Sequence, residues 1–209
     1  NITPFTSNNP IIKVAGIVFT DMGIGIPGVK VKASENSTAE TDEFGNYEIP
    51  NLLMSQTYRI NADYKGPLGV GISTYDLVKI QRHILGTEPL ENVYRELAAD
   101  INYDGKVNVV DIVLLRKHIL GVEEMGTDES WRFVWADSDE GEEMISTYTI
   151  PFLETDMSID FVGVKVGDVT GDAIDEMEAG PRSRKEEVLY YEIIDIGGYK
   201  EVTIKVNRD

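Results

Sequence analysis

The chain contains no cysteine and only two histidines among its 209 residues. Without cysteine it forms no disulfides, no thiolate zinc sites and no thiol nucleophiles. Basic residues are also scarce, with 19 Lys and Arg against 37 Asp and Glu, which gives a net charge of −18. A surface with this excess of negative charge repels phosphate backbones and anionic lipids and attracts cations. The composition therefore argues against a nucleic-acid partner and favours cation binding.

Long apolar runs are also absent. No run in the sequence approaches the roughly 18 residues that a membrane-spanning helix requires, so we expect no membrane insertion. Catalytic pairs are missing too, because no nucleophile is accompanied by a base and acidic pairs such as Glu142-Glu143 lie in apparent loops. We therefore expect no enzymatic activity. If the chain functions outside the cell, a bound metal is one way to stabilise small domains without disulfides.

Residues 11–64 contain short strands separated by turns. The segment Val29–Ala33 alternates apolar and other side chains with a period of two, as a half-buried strand does. Strands about ten residues apart indicate a small β-sandwich. The motifs around Gly16-Ile17-Val18, Gly25–Val31 and Gly45–Ile49 resemble the prealbumin-like sandwiches of carboxypeptidase-regulatory-like and collagen-adhesin B-type repeats. That resemblance implies a spacer or stalk in a secreted or surface protein.

An internal repeat follows this region. Residues 72–86 are similar to residues 107–121, and each copy reads as an amphipathic helix that is entered through an Asp and closed by a Gly. The apolar residues of each copy recur at helical spacing and define one face. They are Leu77, Ile80 and Ile84 in the first copy and Ile112, Leu115 and Ile119 in the second. We expect the two helices to pack against each other through these faces.

The segment Asp100–Asp111, which opens the second copy, has the spacing of an EF-hand calcium loop. Oxygen-bearing side chains stand at loop positions 1, 3, 5, 9 and 12, a glycine stands at position 6, and position 7 offers a main-chain carbonyl. The predicted ligands are Asp100, Asn102, Asp104, the Lys106 carbonyl, Asn108 and Asp111. The alternative is an acidic turn in which Asp111 serves only at the start of the helix. Position 12 holds Asp instead of Glu, so the loop must wrap more closely.

The Asp at position 12, the following helix and the repetition resemble dockerin modules. The resemblance implies calcium binding and docking to cohesin domains in extracellular assemblies. It also implies partner contacts at Gln81, Arg82, Arg116 and Lys117, although a solvated helix face explains the same residues. The first copy departs from the pattern, because the positions equivalent to 1, 3 and 5 before Asp76 are Lys65, Pro67 and Gly69.

The missing half of the first loop has a counterpart much later in the chain. Asp168, Thr170 and Asp172 have the spacing of positions 1, 3 and 5, but no loop is completed after them. We therefore hypothesise a discontinuous second calcium site in which these residues join the Gly71 carbonyl, Ser73 and Asp76. The alternative is two unrelated remnants, with Asp76 a helix cap and Asp168 in a turn.

The predicted fold is mixed and mainly β, with an N-terminal β-sandwich and a dockerin-like pair of loop-helix repeats that contains a β insertion. The expected ranges are an extension at 1–10, the sandwich at 11–64, the calcium module at 65–175 with its insertion at 123–167, a linker at 176–187 and a strand pair or further domain at 188–209. The predicted function is non-catalytic, extracellular or cell-surface attachment to a cohesin-type partner. One alternative is self-assembly of a fibre by strand exchange. Another is glycan binding by the stripe Trp131, Phe133 and Trp135, which otherwise belongs to the core.

Overall fold

The computed structural model describes residues 11–66, 69–122, 130–138, 146–178, 189–196 and 199–206. The chain divides into two compact units, residues 1–175 and residues 176–209. The predicted extension at 1–10 and most of the predicted linker at 176–187 lie outside the described residues. The second unit contains an antiparallel pair of strands, β10 (Leu189–Ile196) and β11 (Tyr199–Val206), in the region expected from the sequence to hold a strand pair or the start of a further domain.

Within its described residues, the first unit contains two β-sheets. Their strands are β1 (Ile11–Phe19), β2 (Lys30–Ser34), β3 (Ser37–Glu40), β4 (Asn46–Leu53), β5 (Tyr58–Asp63), β6 (Trp131–Trp135), β7 (Thr147–Ile150), β8 (Met157–Ser158) and β9 (Phe161–Lys165). One sheet has the order β4-β1-β9-β6, with β8 also on β1, and the other has the order β3-β2-β5-β7. The mainly β class predicted from the sequence is confirmed.

Strands in the described part of residues 123–167, expected from the sequence as a β insertion of the calcium module, pair with strands of residues 11–63. Strand β7 pairs with β5, and β8 and β9 pair in parallel with β1. All five residues of β9 are buried, as expected for a strand inside a sheet. The later strands therefore complete both sheets begun by residues 11–63. The helical repeat thus lies in sequence between strands of the same two sheets, which together are called the β body.

Four helices are present in the described residues: α1 (Thr74–Ile84), α2 (Val93–Ala99), α3 (Val109–Ile119) and α4 (Ala173–Glu178). Helices α1 and α3 are the two predicted copies, and they pack through the predicted apolar faces. Ile80 and Leu115 are fully buried in the shared cluster, which extends to Val134, Val162 and Val164 of the sheet. None of the helices in the described ranges is long and apolar enough to cross a bilayer.

Candidate calcium sites

The contiguous loop begins where α2 ends, at Asp100. One carboxylate oxygen of Asp100 accepts from the Asp104 N–H at 3.1 Å and the other accepts from the Gly105 N–H at 2.8 Å. These bonds fold positions 1 to 6 into a tight turn. Tyr103 and Gly105 have φ values of 58° and 80°, so the chain reverses through two left-handed residues. The glycine at position 6 thus meets a conformational requirement of the loop.

Asp111 closes the same loop from the first turn of α3. Its side chain is fully buried, and one carboxylate oxygen accepts from the N–H groups of Ile101 and Asn102 at 2.8 and 3.4 Å. The other oxygen accepts from the Asn108 N–H at 2.8 Å, which completes a capping box with the Asn108 side chain. Position 12 therefore bonds to positions 2, 3 and 9, and both ends of the loop are fixed.

The two halves of the hypothesised split site lie together in the structure. Asp76, at position 12 in the first turn of α1, is fully buried. One of its oxygens accepts from the Val169 and Thr170 N–H groups at 3.0 and 3.2 Å, across more than ninety residues of chain. The other accepts from the Ser73 N–H at 2.8 Å. Asp76 therefore bonds to positions 2, 3 and 9, as Asp111 does in the contiguous loop.

The first half of the split site also repeats the contiguous loop. Asp168 accepts from the Ala173 N–H at 3.0 Å, which is the bond from position 6 to position 1 that Gly105 makes to Asp100. Gly171, at position 4, has φ of 80° and matches the left-handed Tyr103. Two segments far apart in sequence thus adopt the hydrogen-bond pattern of one loop.

Positions 6 and 7 of the split loop meet at the break in the chain. A Cβ placed on Gly71, at position 7, would lie 2.6 Å from Cα of Ala173, at position 6. In the contiguous loop, the equivalent positions 6 and 7 are Gly105 and Lys106, which are joined by a peptide bond. Gly71 is therefore required for steric reasons as well as for its φ of 72°.

The split site concentrates negative charge in a buried place. Burial raises the pKa of the Asp168 carboxyl above its usual range, and the carboxylates of Asp76 and Asp172 raise it further, while N–H groups of Gly171 and Ala173 oppose the shift. Burial also lowers the pKa of the nearby Lys165 ammonium to about 8. A bound divalent cation would offset the carboxylate repulsion that destabilises this arrangement.

The donor sets suit calcium. Each loop offers three carboxylates together with amide or hydroxyl oxygens and one main-chain carbonyl, which are the hard oxygens that calcium takes. No three acidic or histidine side chains converge at metal-ligand distances among the residues that the structure describes. The carboxylate oxygens of Asp76, Asp100, Asp111 and Asp168 accept backbone N–H bonds. The amide, hydroxyl and main-chain carbonyl oxygens of each loop are therefore needed to complete a calcium ligand set.

Arg132 of β6 fastens the contiguous loop to the sheet, a role that its sequence context did not reveal. Its guanidinium donates to the main-chain carbonyls of Leu97, Asp100 and Ile101, and it lies 4.5 Å from the centre of the Tyr103 ring. These carbonyls belong to the end of α2 and the start of the loop, where no helical partner exists. A periodicity argument could not find this contact because Arg132 lies in a distant strand.

The four predicted partner-contact residues lie on α1 and α3. Gln81, Arg82 and Arg116 are exposed, and Lys117 is partly buried. Arg82 forms an ion pair with Glu88 at 2.7 Å. Three of the four residues are therefore accessible to a partner. Their role in partner binding stays a prediction.

The aromatic stripe considered for glycan binding is largely inside the protein. Trp131 and Phe133 are each only 6% exposed, and their rings stack with centroids 6.3 Å apart. Trp135 is partly buried and contacts Tyr148 at 4.5 Å. Buried rings cannot present a flat platform to a sugar, so the stripe serves the core.

Comparison with known proteins adds one finding. Residues 71–120 match the family model of the dockerin type I domain. Dockerin type I domains bind calcium through EF-hand-like loops and are non-catalytic docking modules that bind cohesin, typically in secreted or cell-surface proteins. No curated protein matches the chain. The match covers α1, α2, the contiguous loop and α3, and it begins at Gly71, where the second half of the split loop begins.

Proposed function

We propose that the chain is an extracellular attachment module whose calcium-bound helix pair docks to a cohesin-type domain. The observation that carries this proposal is the closed loop Asp100–Asp111 leading directly into a helix that packs on its repeat partner. Calcium-dependent docking to cohesin is the property of the matched domain type. The two sheets would serve as the support that carries the docking helices.

The test is capture by immobilised cohesin-type domains, with calcium and after chelation. We expect retention on at least one member of a cohesin panel in calcium and release in chelator, because the loop carboxylates repel one another without the ion. A chain with Asp104→Ala, which removes the position 5 ligand on the exposed side of the loop, serves as the matched control and should not be retained. Absence of capture by every cohesin tested in calcium would contradict the proposal.

We further propose that the split loop binds a second calcium ion. Its support is the set of hydrogen bonds that both loops share, from positions 2, 3 and 9 to position 12 and from position 6 to position 1, together with the contact between Gly71 and Ala173. Native mass spectrometry is expected to show two calcium ions per chain and one after Asp168→Ala. A wild-type chain that binds one ion, or a second ion that survives Asp168→Ala, would refute the split site.

The two helices are not equivalent as docking surfaces, and we propose that α3 makes the principal contact. On α1, Arg82 and Lys79 already face Glu88, with N–O distances of 2.7 and 3.9 Å. On α3, Arg116 forms no ion pair with any residue in the described ranges. A basic side chain that is not already paired offers more to an acidic partner.

The apolar residues favour the same helix. Val109, Val110 and Val113 on α3 are 62%, 50% and 48% exposed. At the equivalent places α1 has Thr74, Tyr75 and Val78, of which only the last is aliphatic. Exposed aliphatic residues beside a basic one form a docking patch for an apolar surface with carboxylates at its rim. The α3 patch is therefore Val109, Val110, Val113 and Arg116.

A further inference from the structure

The first half of the split site is held against α2 at two points. The Gly167 N–H, just before Asp168, donates to the Ala98 carbonyl at 2.9 Å. At position 4, Gly171 lies directly against the guanidinium of Arg95, which occupies the space that a side chain at 171 would need. Helix α2 therefore helps to place the segment that carries Asp168 and Thr170, in addition to the segment's own hydrogen bonds.

Arg95 is held in place by a residue in the turn after β1. Its Nε donates to a carboxylate oxygen of Asp21, in the turn after β1, at 2.8 Å, and the same oxygen accepts from the Asn92 side chain at 3.0 Å. The side chains of Arg95 and Asp21 are only 8% and 10% exposed. A buried ion pair with this additional hydrogen bond has a defined geometry, and loss of one partner leaves the other charge uncompensated.

From these contacts we infer that Arg95, held by Asp21, is the positioning residue for the second calcium site. This inference rests on the split site proposed above. The Arg95 guanidinium packs against Gly171 at position 4. This contact determines the location of the side-chain oxygens at positions 3 and 5. Asp21 neutralises the guanidinium, so that a cation can be bound close to a buried arginine without net repulsion. The turn after β1 thus supports a calcium site whose ligands lie far away in sequence.

Residue 171 has a steric requirement that the equivalent residue of the contiguous loop does not have. At position 4 that loop carries Tyr103, whose side chain is 60% exposed. The split loop carries Gly171, because a Cβ there would overlap the Arg95 guanidinium. The left-handed φ alone does not demand glycine, since Tyr103 adopts it as well. Contact with Arg95 is therefore the additional reason for glycine.

The test is calorimetry of calcium binding to the chelator-stripped 209-residue chain, comparing the unsubstituted sequence with Arg95→Met. The Kd of the site that remains in Asp168→Ala identifies the contiguous loop. We expect Arg95→Met to weaken the other site at least about tenfold and to change the contiguous site less than about threefold. Asp21→Asn, which keeps the shape of the side chain, should act in the same direction and covers the case in which Arg95→Met does not fold.

Lys13→Met is the matched control, because Lys13 forms an exposed ion pair with Glu48 at 2.8 Å in the same sheet. It should leave both calcium affinities unchanged. If Arg95→Met lowers the melting temperature in chelator but leaves the second Kd unchanged, or if both sites weaken equally, Arg95 has only a general structural role and the inference is wrong. A wild-type protein that binds one calcium would instead refute the split site itself.

Discussion

Asp76→Ala is expected to remove the second calcium ion and to lower the free energy of unfolding by about 3–5 kcal/mol. The Asp76 carboxylate accepts from the N–H groups of Ser73, Val169 and Thr170. A buried donor left without a partner costs about 1–3 kcal/mol. The buried Val169 N–H loses its acceptor, and the partly buried Ser73 and Thr170 N–H groups lose the same acceptor at a smaller cost because water can reach them. The carboxylate also joins α1 to the segment 168–172, so its loss disconnects two distant parts of the chain. Denaturant unfolding and native mass spectrometry, each with and without chelator, measure the two effects.

Asp42→Ala is the matched control for this change. Asp42 also accepts two backbone N–H bonds, from Phe44 and Asn46, but it lies in an exposed turn between β3 and β4. Water can replace the lost acceptor there, so we expect a much smaller loss of stability than for Asp76→Ala and no change in calcium count. Asp76→Asn, which keeps one acceptor oxygen, should lie between the two. Equal effects of Asp42→Ala and Asp76→Ala would show that Asp76 is an ordinary helix cap.

The second large effect is expected at the partner-binding surface. Val113→Asp on α3 should weaken binding to a captured cohesin-type domain at least about a hundredfold, which is about 2.7 kcal/mol. The substitution places a carboxylate at the centre of the α3 patch and opposes a partner surface that is apolar with an acidic rim. Calorimetry or surface plasmon resonance at saturating calcium measures the change. Calcium affinity should stay unaltered, since Val113 lies outside the loop.

Val78→Asp on α1 provides the matched comparison. Val78 occupies the equivalent place in the repeat and is 40% exposed, against 48% for Val113. Because the adjacent basic residues of α1 are already paired with Glu88, we expect Val78→Asp to change the partner Kd less than about threefold. If the two substitutions weaken binding equally, both helices dock and the preference for α3 is wrong. If only Val78→Asp acts, α1 is the docking helix.

The local parts of this protein could be derived from its sequence. Ligand spacing in a calcium loop is set within twelve residues, so Asp100–Asp111 and its closure at Asp111 were predictable from residue order. Helix periodicity is equally local, and the faces carrying Ile80 and Leu115 were assigned correctly for that reason. The juxtaposition of the two half-loops could also be predicted, because one half-loop lacked a beginning and another lacked an end.

Long-range pairing was decided only by the tertiary structure. The pairing of β7 with β5 and of β9 with β1 joins strands whose local patterns say nothing about their partners, so the sequence alone assigned residues 123–167 to the calcium module as a β insertion and did not predict these pairings. Arg132 contacts main-chain carbonyls and Arg95 contacts the backbone of a glycine. Contacts with the backbone do not depend on the identity of neighbouring side chains, so the sequence pattern does not predict them. Spacing along the chain determined which oxygens belong to a loop. Packing of the β body determined where the distant half-loop stands, because geometry between segments far apart in sequence depends on the whole fold.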